Sequence, residues 1–212
     1  MIVAIACPHG DPGRTVLANN LAVLRARSGR KVCLVDTDPQ RPSFMWGCAR
    51  SAAGVRPPVP ARALGGRSLP EDLAQMSERY HDILISTEAR DTHDSRSALI
   101  AARLVLVPVQ PGQVDLATQY KLIARLNCAR MFNPGLRVLF VVVGGADGPD
   151  AAELAAVRAY ASRVMSATLA ATVIHTPCLH ACGQGRCVCD ADTCDPAMAA
   201  EMQALYHEVY PH

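Results

Sequence analysis

The chain has 212 residues, of which 50% are hydrophobic and 19% charged, and its formal net charge is +2. This composition is too apolar for a disordered chain, and the balanced charge argues against a protein that merely coats nucleic acid or acidic membrane. Its apolar runs are too short to cross a membrane, and its start lacks the basic region of a signal peptide. We therefore expect a cytoplasmic protein whose cysteines are thiols or metal ligands.

Short apolar runs alternate with longer amphipathic segments along the chain. Strands are predicted at residues 2–7, 31–36, 82–85, 104–109, 136–143 and 169–174. Helices are predicted at residues 14–27, 41–51, 69–79, 114–131, 149–164 and 195–209, and most of 52–66 is predicted to be loop. The pattern predicts an α/β fold, with a mostly parallel sheet and helices on both faces. With no repeat or linker in sight, we expect a single domain over residues 1–212.

The loop at residues 8–13 follows the first predicted strand and opens a helix. Such a loop can direct backbone N–H groups at a phosphate, and the helix N-terminus adds its positive dipole. Arg14 could contact phosphate oxygens, and Thr15 could offer a hydroxyl to Mg²⁺. An ordinary strand–helix turn remains the alternative, because Pro8 and Arg14 replace a glycine and a lysine of the usual P-loop pattern.

The second predicted strand ends in two carboxylates, Asp36 and Asp38. Side chains two residues apart point to the same side of an extended chain. The two groups could therefore hold a Mg²⁺ shell and orient an attacking water.

Taken together, these segments resemble the ParA/MinD group of P-loop ATPases. That group has a loop K-G-G-x-G-K-[ST]-[ST] and a following strand that ends in D-x-D-P-Q. Here the matching stretches are H-G-D-P-G-R-T-V at residues 9–16 and D-T-D-P-Q at residues 36–40. The resemblance covers residues 1–175 in element order, and the length is similar to that of short plasmid-partition and DNA-transfer members.

The resemblance implies a three-layer P-loop NTPase-like fold, with ATP or ADP and Mg²⁺ as cofactors. It also implies a homodimer, a partner protein of the partition or adaptor type, and nonspecific contact with DNA. Carried over residue by residue, the nucleotide-binding positions are His9, Gly10, Asp11, Pro12, Gly13, Arg14, Thr15 and Val16. Thr15 and Asp36 would hold Mg²⁺, and Asp38 would be the catalytic residue.

The chain departs from the family at positions that carry the chemistry. His9 and Arg14 stand where the family has lysines, and Asp11 stands in place of a glycine. Ser86 stands where a strand usually ends in aspartate, and Glu88 could substitute only after a rearrangement of the loop. Because loss of one electrostatic donor can cost ~10²–10³ in rate, we expect nucleotide binding with slow or lost ATP hydrolysis. Whether the protein is an ATPase or a pseudo-ATPase stays open.

Five of the nine cysteines crowd into one loop at about residues 175–194. They are Cys178, Cys182, Cys187, Cys189 and Cys194, and His175 and His180 lie beside them. Thiolate clusters suit Zn²⁺ or an iron–sulfur cluster, but this spacing matches no common pattern. Metal binding, redox-active thiols and a plain flexible loop therefore remain alternatives. In the resembled family this loop approaches the nucleotide base, so a metal or redox event here could gate the pocket.

The leading function is an ATP-dependent dimer switch that partitions or transfers DNA or positions another cargo. The alternative is a non-enzymatic scaffold, or a metal- or redox-responsive protein, that keeps the fold and uses the cysteine-rich loop. A basic cluster at Arg25, Arg27, Arg30 and Lys31 could contact DNA, or could simply be a solvated helix end.

Overall fold

The computed structural model describes residues 1–7, 12–111, 116–145, 148–175, 184–190 and 195–211. Within these ranges, seven strands form one sheet in the order β3-β2-β4-β1-β5-β6-β7, and every neighbouring pair is parallel. The strands are β1 (Ile2–Ile5), β2 (Val32–Asp36), β3 (Ala61–Ala63), β4 (Asp82–Ser86), β5 (Leu104–Val109), β6 (Arg137–Gly144) and β7 (Ala167–His175). The predicted fold class is confirmed.

Helices cover both faces of this sheet. They are α1 (Pro12–Arg27), α2 (Pro42–Ala52), α3 (Leu69–Arg79), α4 (His93–Ala101), α5 (Leu116–Phe132), α6 (Ala151–Ala161) and α7 (Pro196–Val209). Side chains of α1, α2 and α7 form one apolar cluster with one sheet face. Side chains of α3, α4, α5 and α6 form a second cluster with the opposite face. The sheet is thus the middle of three layers, as expected for parallel strands that are apolar on both faces.

Two elements differ from the sequence prediction. The three-residue strand β3 lies inside the predicted loop 52–66, at one edge of the sheet. Its length and the prolines before it hide the strand pattern. The second element, α4, is not predicted because its first turn is polar. It starts at a capping box in which the Thr92 side chain accepts from the Ser95 N–H.

Carboxylates of α7 cover the outer edge of β7. Glu208 accepts hydrogen bonds from the backbone N–H groups of Ala171 and Thr172, at 2.9 and 2.8 Å. Glu201 accepts from the N–H of His175 at 3.0 Å and contacts its ring at 2.7 Å. These bonds replace the missing neighbouring strand and keep the edge from pairing with another chain. Among the described helices, none is long and apolar enough to cross a membrane.

Candidate functional site

The carboxyl ends of β1, β2 and β4 meet at one place on the sheet edge. Ser86 at the end of β4 lies in register with Ile5 on one side and Asp36 on the other. The Thr87 hydroxyl then donates to the Ile5 carbonyl at 3.0 Å, which ties the loop after β4 to β1. Helix α1 starts at Pro12, shortly after β1 ends, so its N-terminus belongs to the same edge. This is the edge at which open parallel sheets bind ligands.

Arg14 is the most informative side chain at this edge. It is only 4% exposed, and its Nη2 donates to Asp38 Oδ2 at 2.6 Å. Its Nε and Nη1 have no hydrogen-bond partner in the part of the chain that the structure describes. A buried cationic donor without a partner costs free energy, so these two N–H groups favour an anion. The structure therefore joins two of the predicted site residues, Arg14 and Asp38, directly.

Asp36 is buried and performs a structural task at the same edge. Its Oδ1 accepts the N–H of Asp38 and its Oδ2 accepts the N–H of Phe44, both at 3.0 Å. Burial raises the pKa of Asp36, while the two backbone hydrogen bonds act in the opposite direction. Through Phe44, the carboxylate fastens the first turn of α2 to the end of β2. Each oxygen keeps a second lone pair, so the role as a Mg²⁺ ligand stays a prediction.

Two buried hydroxyls add to this edge. Ser86 Oγ and Thr37 Oγ1 have no hydrogen-bond partner among the described residues. Glu88 is the candidate replacement for the missing aspartate, but its carboxylate is bonded to residues of the loop and helix that follow β4. Its Oε1 accepts the Thr92 hydroxyl at the start of α4, and its Oε2 lies 3.2 Å from Arg90 Nε. Glu88 therefore stabilises the start of α4. It could replace the missing aspartate only if the loop after β4 were rearranged.

The remaining phosphate-loop residues are only partly described. His9, Gly10 and Asp11 lie outside the described residues, and Pro12 is described in its backbone alone. Gly13 and Thr15 lie in the first turn of α1, and Thr15 is half-buried. Val16 packs into the apolar cluster beneath the helix. Its side chain therefore belongs to the core, and only its backbone is a candidate for ligand contact.

A cavity of about 330 Å³ opens at the same sheet edge, between the ends of β5 and β6. Its walls are contributed by Gln110, Pro111, Gly144 and Glu153, among others. The cavity and Arg14 therefore share the carboxyl edge of the sheet.

The described part of the cysteine-rich loop, residues 184–190, contains two of its five cysteines. Cys187 is buried in the core and Cys189 is half-buried, and their side chains are hydrogen-bonded to each other. That bond lowers the pKa of Cys189, and Arg27 acts in the same direction. Cys178, Cys182, Cys194 and His180 lie outside the described residues. Within the described ranges, no group of three or more potential ligands could hold a metal ion, so the metal site stays a prediction.

A buried ion pair, which sequence reasoning missed, anchors this loop segment to α2. Arg50 is fully buried, and its Nη1 and Nη2 donate to the two carboxylate oxygens of Asp190 at 2.7 and 3.2 Å. Its remaining donors reach the carbonyls of Pro57, Arg56 and Gly185 at 2.9–3.0 Å. No sequence signal could reveal a pair whose members are 140 residues apart.

Two further bonds hold the same segment. Trp46 Nε1 donates to the Arg186 carbonyl at 2.9 Å, so this tryptophan anchors the loop to α2. The Asn20 side-chain oxygen accepts the Val188 N–H at 2.9 Å and ties the loop to α1. Residues 184–190 are therefore fixed to both α1 and α2.

The three arginines of the basic cluster at the end of α1 form internal ion pairs. Arg25 and Arg30 contact Asp82 Oδ2 at 2.7 and 3.3 Å. Arg27 contacts Asp190 Oδ1 at 2.9 Å. Burial alone would raise the pKa of Asp82, but the hydrogen bond from Arg25 and the charge of the N-terminal ammonium hold that pKa below its usual range. These arginines therefore join the end of α1 to β4 and to the segment at residues 184–190. This structural role weakens the interpretation of the cluster as a DNA-contact patch.

Comparisons with known proteins show the family of the chain. The model of the CobQ/CobB/MinD/ParA nucleotide binding domain matches residues 3–165. The chromosome-partitioning ATPase Soj of Thermus thermophilus is 30% identical over 173 residues, which cover 69% of this chain and 70% of Soj.

Solved structures show the same fold at low sequence identity. Apo McdA of Cyanothece is 14% identical, with a TM-score of 0.74 and 98% of each chain covered. The cobyrinic acid a,c-diamide synthase of Mycobacterium smegmatis, solved with a bound ATP analogue and magnesium, is 17% identical. Its TM-score is 0.69, with 99% of this chain and 95% of that chain covered. On the strength of the domain match and the relative, the chain belongs to the CobQ/CobB/MinD/ParA nucleotide-binding family.

Proposed function

We propose that this protein binds ATP or ADP with Mg²⁺ at the carboxyl edge formed by β1, β2 and β4, and hydrolyses ATP slowly or not at all. The observation that carries the proposal is the buried guanidinium of Arg14 beside the N-terminus of α1, two of whose N–H groups find no partner among the described residues. A phosphate oxygen is the anion that a helix N-terminus and an arginine accept together.

The side chains at this edge fit a phosphate and a magnesium ion. Arg14 would bind the phosphate oxygens, and the half-buried Thr15 and the second lone pairs of Asp36 would hold the metal. The hydroxyls of Ser86 and Thr37, which have no partner within the described ranges, supply further oxygens at the same edge. When bound, the metal would neutralise charge on the phosphates. The work of these residues is to orient the nucleotide and to exclude water from it.

Slow hydrolysis is expected from three positions at this edge. Asp38 Oδ2 bonds to Arg14 at 2.6 Å and Oδ1 accepts the Gln40 N–H at 2.9 Å, which leaves one lone pair on each oxygen to orient an attacking water. The serine at position 86 offers no charge to a metal, and Glu88 is engaged at α4. The side chains of Asp38, Ser86 and Glu88 thus favour nucleotide binding over ATP hydrolysis.

We further propose that nucleotide drives formation of a homodimer that partitions DNA or positions a cargo through a partner protein. Support comes from the family and from the relative that is named a chromosome-partitioning ATPase. Light scattering on the full chain tests it: we expect the mass to double with ATP and Mg²⁺, and Arg14→Gln to abolish the change. An unchanged mass at saturating ATP would rule out the dimer switch.

The hydrogen bond between the free thiols of Cys187 and Cys189 supports a second candidate, a metal- or redox-responsive protein on the same fold. Thiolates in a reducing compartment bind zinc or iron, so we expect about one equivalent of metal in protein purified without oxygen. Elemental analysis measures it. Cys189→Ser should lower the metal content, whereas the matched control Cys48→Ser, at an exposed position on α2, should not. Less than about a tenth of an equivalent in the unmodified protein would exclude a resident metal.

A further inference from the structure

An exposed apolar surface lies on the sheet edge opposite the candidate site. Met131 and Phe132, in the last turn of α5, are 78% and 70% exposed, and Met165, shortly before β7, is 53% exposed. Single exposed apolar side chains are ordinary on protein surfaces, but neighbouring ones mark an interaction site. These three side chains belong to segments that lead into β6 and β7, so they share the amino edge of the sheet.

Hydrogen bonds show that the segments carrying these side chains are contiguous. Asn127 of α5 donates to the Arg163 carbonyl at 3.3 Å and accepts the Met165 N–H at 3.2 Å. Met131 lies one helical turn after Asn127, on the side of α5 from which Asn127 reaches residues 163 and 165. The turn after Phe132 is attached to the end of α4, because the Asn133 side chain donates to the carbonyls of Ile100 and Ala102 at 2.9 and 2.8 Å.

Arginines border this apolar surface. Arg103 immediately precedes β5 and Arg137 starts β6, and the Arg137 N–H donates to the Arg103 carbonyl at 3.1 Å. Arg163 lies two residues before Met165 in the chain. All three are exposed. The segments that form this edge, residues 99–104, 127–138 and 162–168, contain no aspartate or glutamate. We call the surface formed by Met131, Phe132, Met165, Arg103, Arg137 and Arg163 the amino-edge patch.

We propose that the amino-edge patch docks an acidic segment of a partner protein that also carries apolar side chains. Exposed methionine, phenylalanine and arginine are the residues enriched at protein interfaces. Arginine forks match carboxylates in a bidentate way, and the patch has no carboxylate of its own to satisfy them. The proposal concerns a surface away from the nucleotide site and does not depend on nucleotide binding.

Two other anionic surfaces fit the patch less well. A DNA backbone would bind the arginines but would leave Met131 and Phe132 in water. A membrane surface needs a whole apolar helix face to enter the headgroup region, whereas the exposed side of α5 also carries Lys121 and the Tyr120 hydroxyl. Its earlier apolar side chains, including Leu122 and Leu126, are buried in the core.

Selection from a display library of random short peptides on the full chain tests the proposal. We expect the enriched peptides to be rich in aspartate, glutamate and large apolar residues. Phe132→Ser and Arg137→Glu should each weaken the enriched peptide at least about fivefold in fluorescence anisotropy. The control Met45→Ser, at an equally exposed methionine on α2, should leave binding unchanged, since Met45 lies outside the patch.

Thermal melts check that each variant is folded, and the two patch variants test the surface independently. Enriched peptides without acidic residues, or binding that neither substitution weakens, would overturn the proposal. So would patch-dependent binding of a short DNA duplex or of phosphatidylglycerol vesicles in the absence of any selected peptide.

Discussion

Replacing Arg50 by methionine should lower the free energy of unfolding by about 3–5 kcal/mol, because it leaves Asp190 buried with its main partner gone. Arg50 is fully buried and all its bonds are to Asp190 or to backbone carbonyls. Arg27 still contacts Asp190 at 2.9 Å, but it is itself 36% exposed and replaces only part of that interaction. Chemical denaturation of the full chain measures the change.

The neighbouring Arg56 provides a matched control, since its side chain is exposed. Arg56→Met makes the same chemical change and should alter stability by less than about 0.5 kcal/mol. Arg50→Met within about 1 kcal/mol of the unmodified protein would mean that Asp190 is solvated and that the loop is not anchored as the structure shows.

Arg14→Gln should weaken ATP and ADP binding by about 10- to 100-fold, the effect of losing one charge-assisted hydrogen bond. Glutamine keeps most of the length and a hydrogen-bond donor, so the loss would report on the positive charge. Isothermal titration calorimetry with Mg²⁺ present measures the affinity. An unchanged affinity would mean that the phosphates bind elsewhere.

Asp38→Asn, measured in the same way, should not weaken nucleotide binding. The carboxylate now competes with phosphate for the guanidinium of Arg14, at 2.6 Å. Removing its charge should therefore leave the affinity unchanged or raise it up to about tenfold. Any residual ATP hydrolysis should fall, since the same carboxylate is the predicted orienter of water. A loss of affinity in both variants would point to a shared structural defect and would contradict the assigned roles.

The sheet could be predicted from the sequence because its strands are buried on both faces. Runs such as Leu104–Val109 are apolar at every position, a signal that requires no knowledge of their neighbours. Edge strand β3 gives no such signal, since Ala61 and Ala63 are half-buried and Arg62 between them is exposed. Helix α4 is defined by a capping box rather than by apolar periodicity, so a search for periodicity misses it.

The candidate site was predictable where residue type and spacing decide it, and not where distant partners do. The loop before α1 and the carboxylates at Asp36 and Asp38 follow from motif and position. The direct bond between Arg14 and Asp38 does not, because it depends on how α1 and the end of β2 approach each other. The same limit applies to Arg25 and Arg30, whose charges are satisfied by Asp82 across the fold.

The central claim is that Arg14 and the N-terminus of α1 form a phosphate site, and calorimetric titration of the unmodified full chain with ATP and with ADP, each with Mg²⁺, tests it most directly. We predict saturable binding of one nucleotide per chain that Arg14→Gln weakens and Asp38→Asn does not. Absence of binding at millimolar nucleotide, in protein that is folded by thermal melt, would contradict the account.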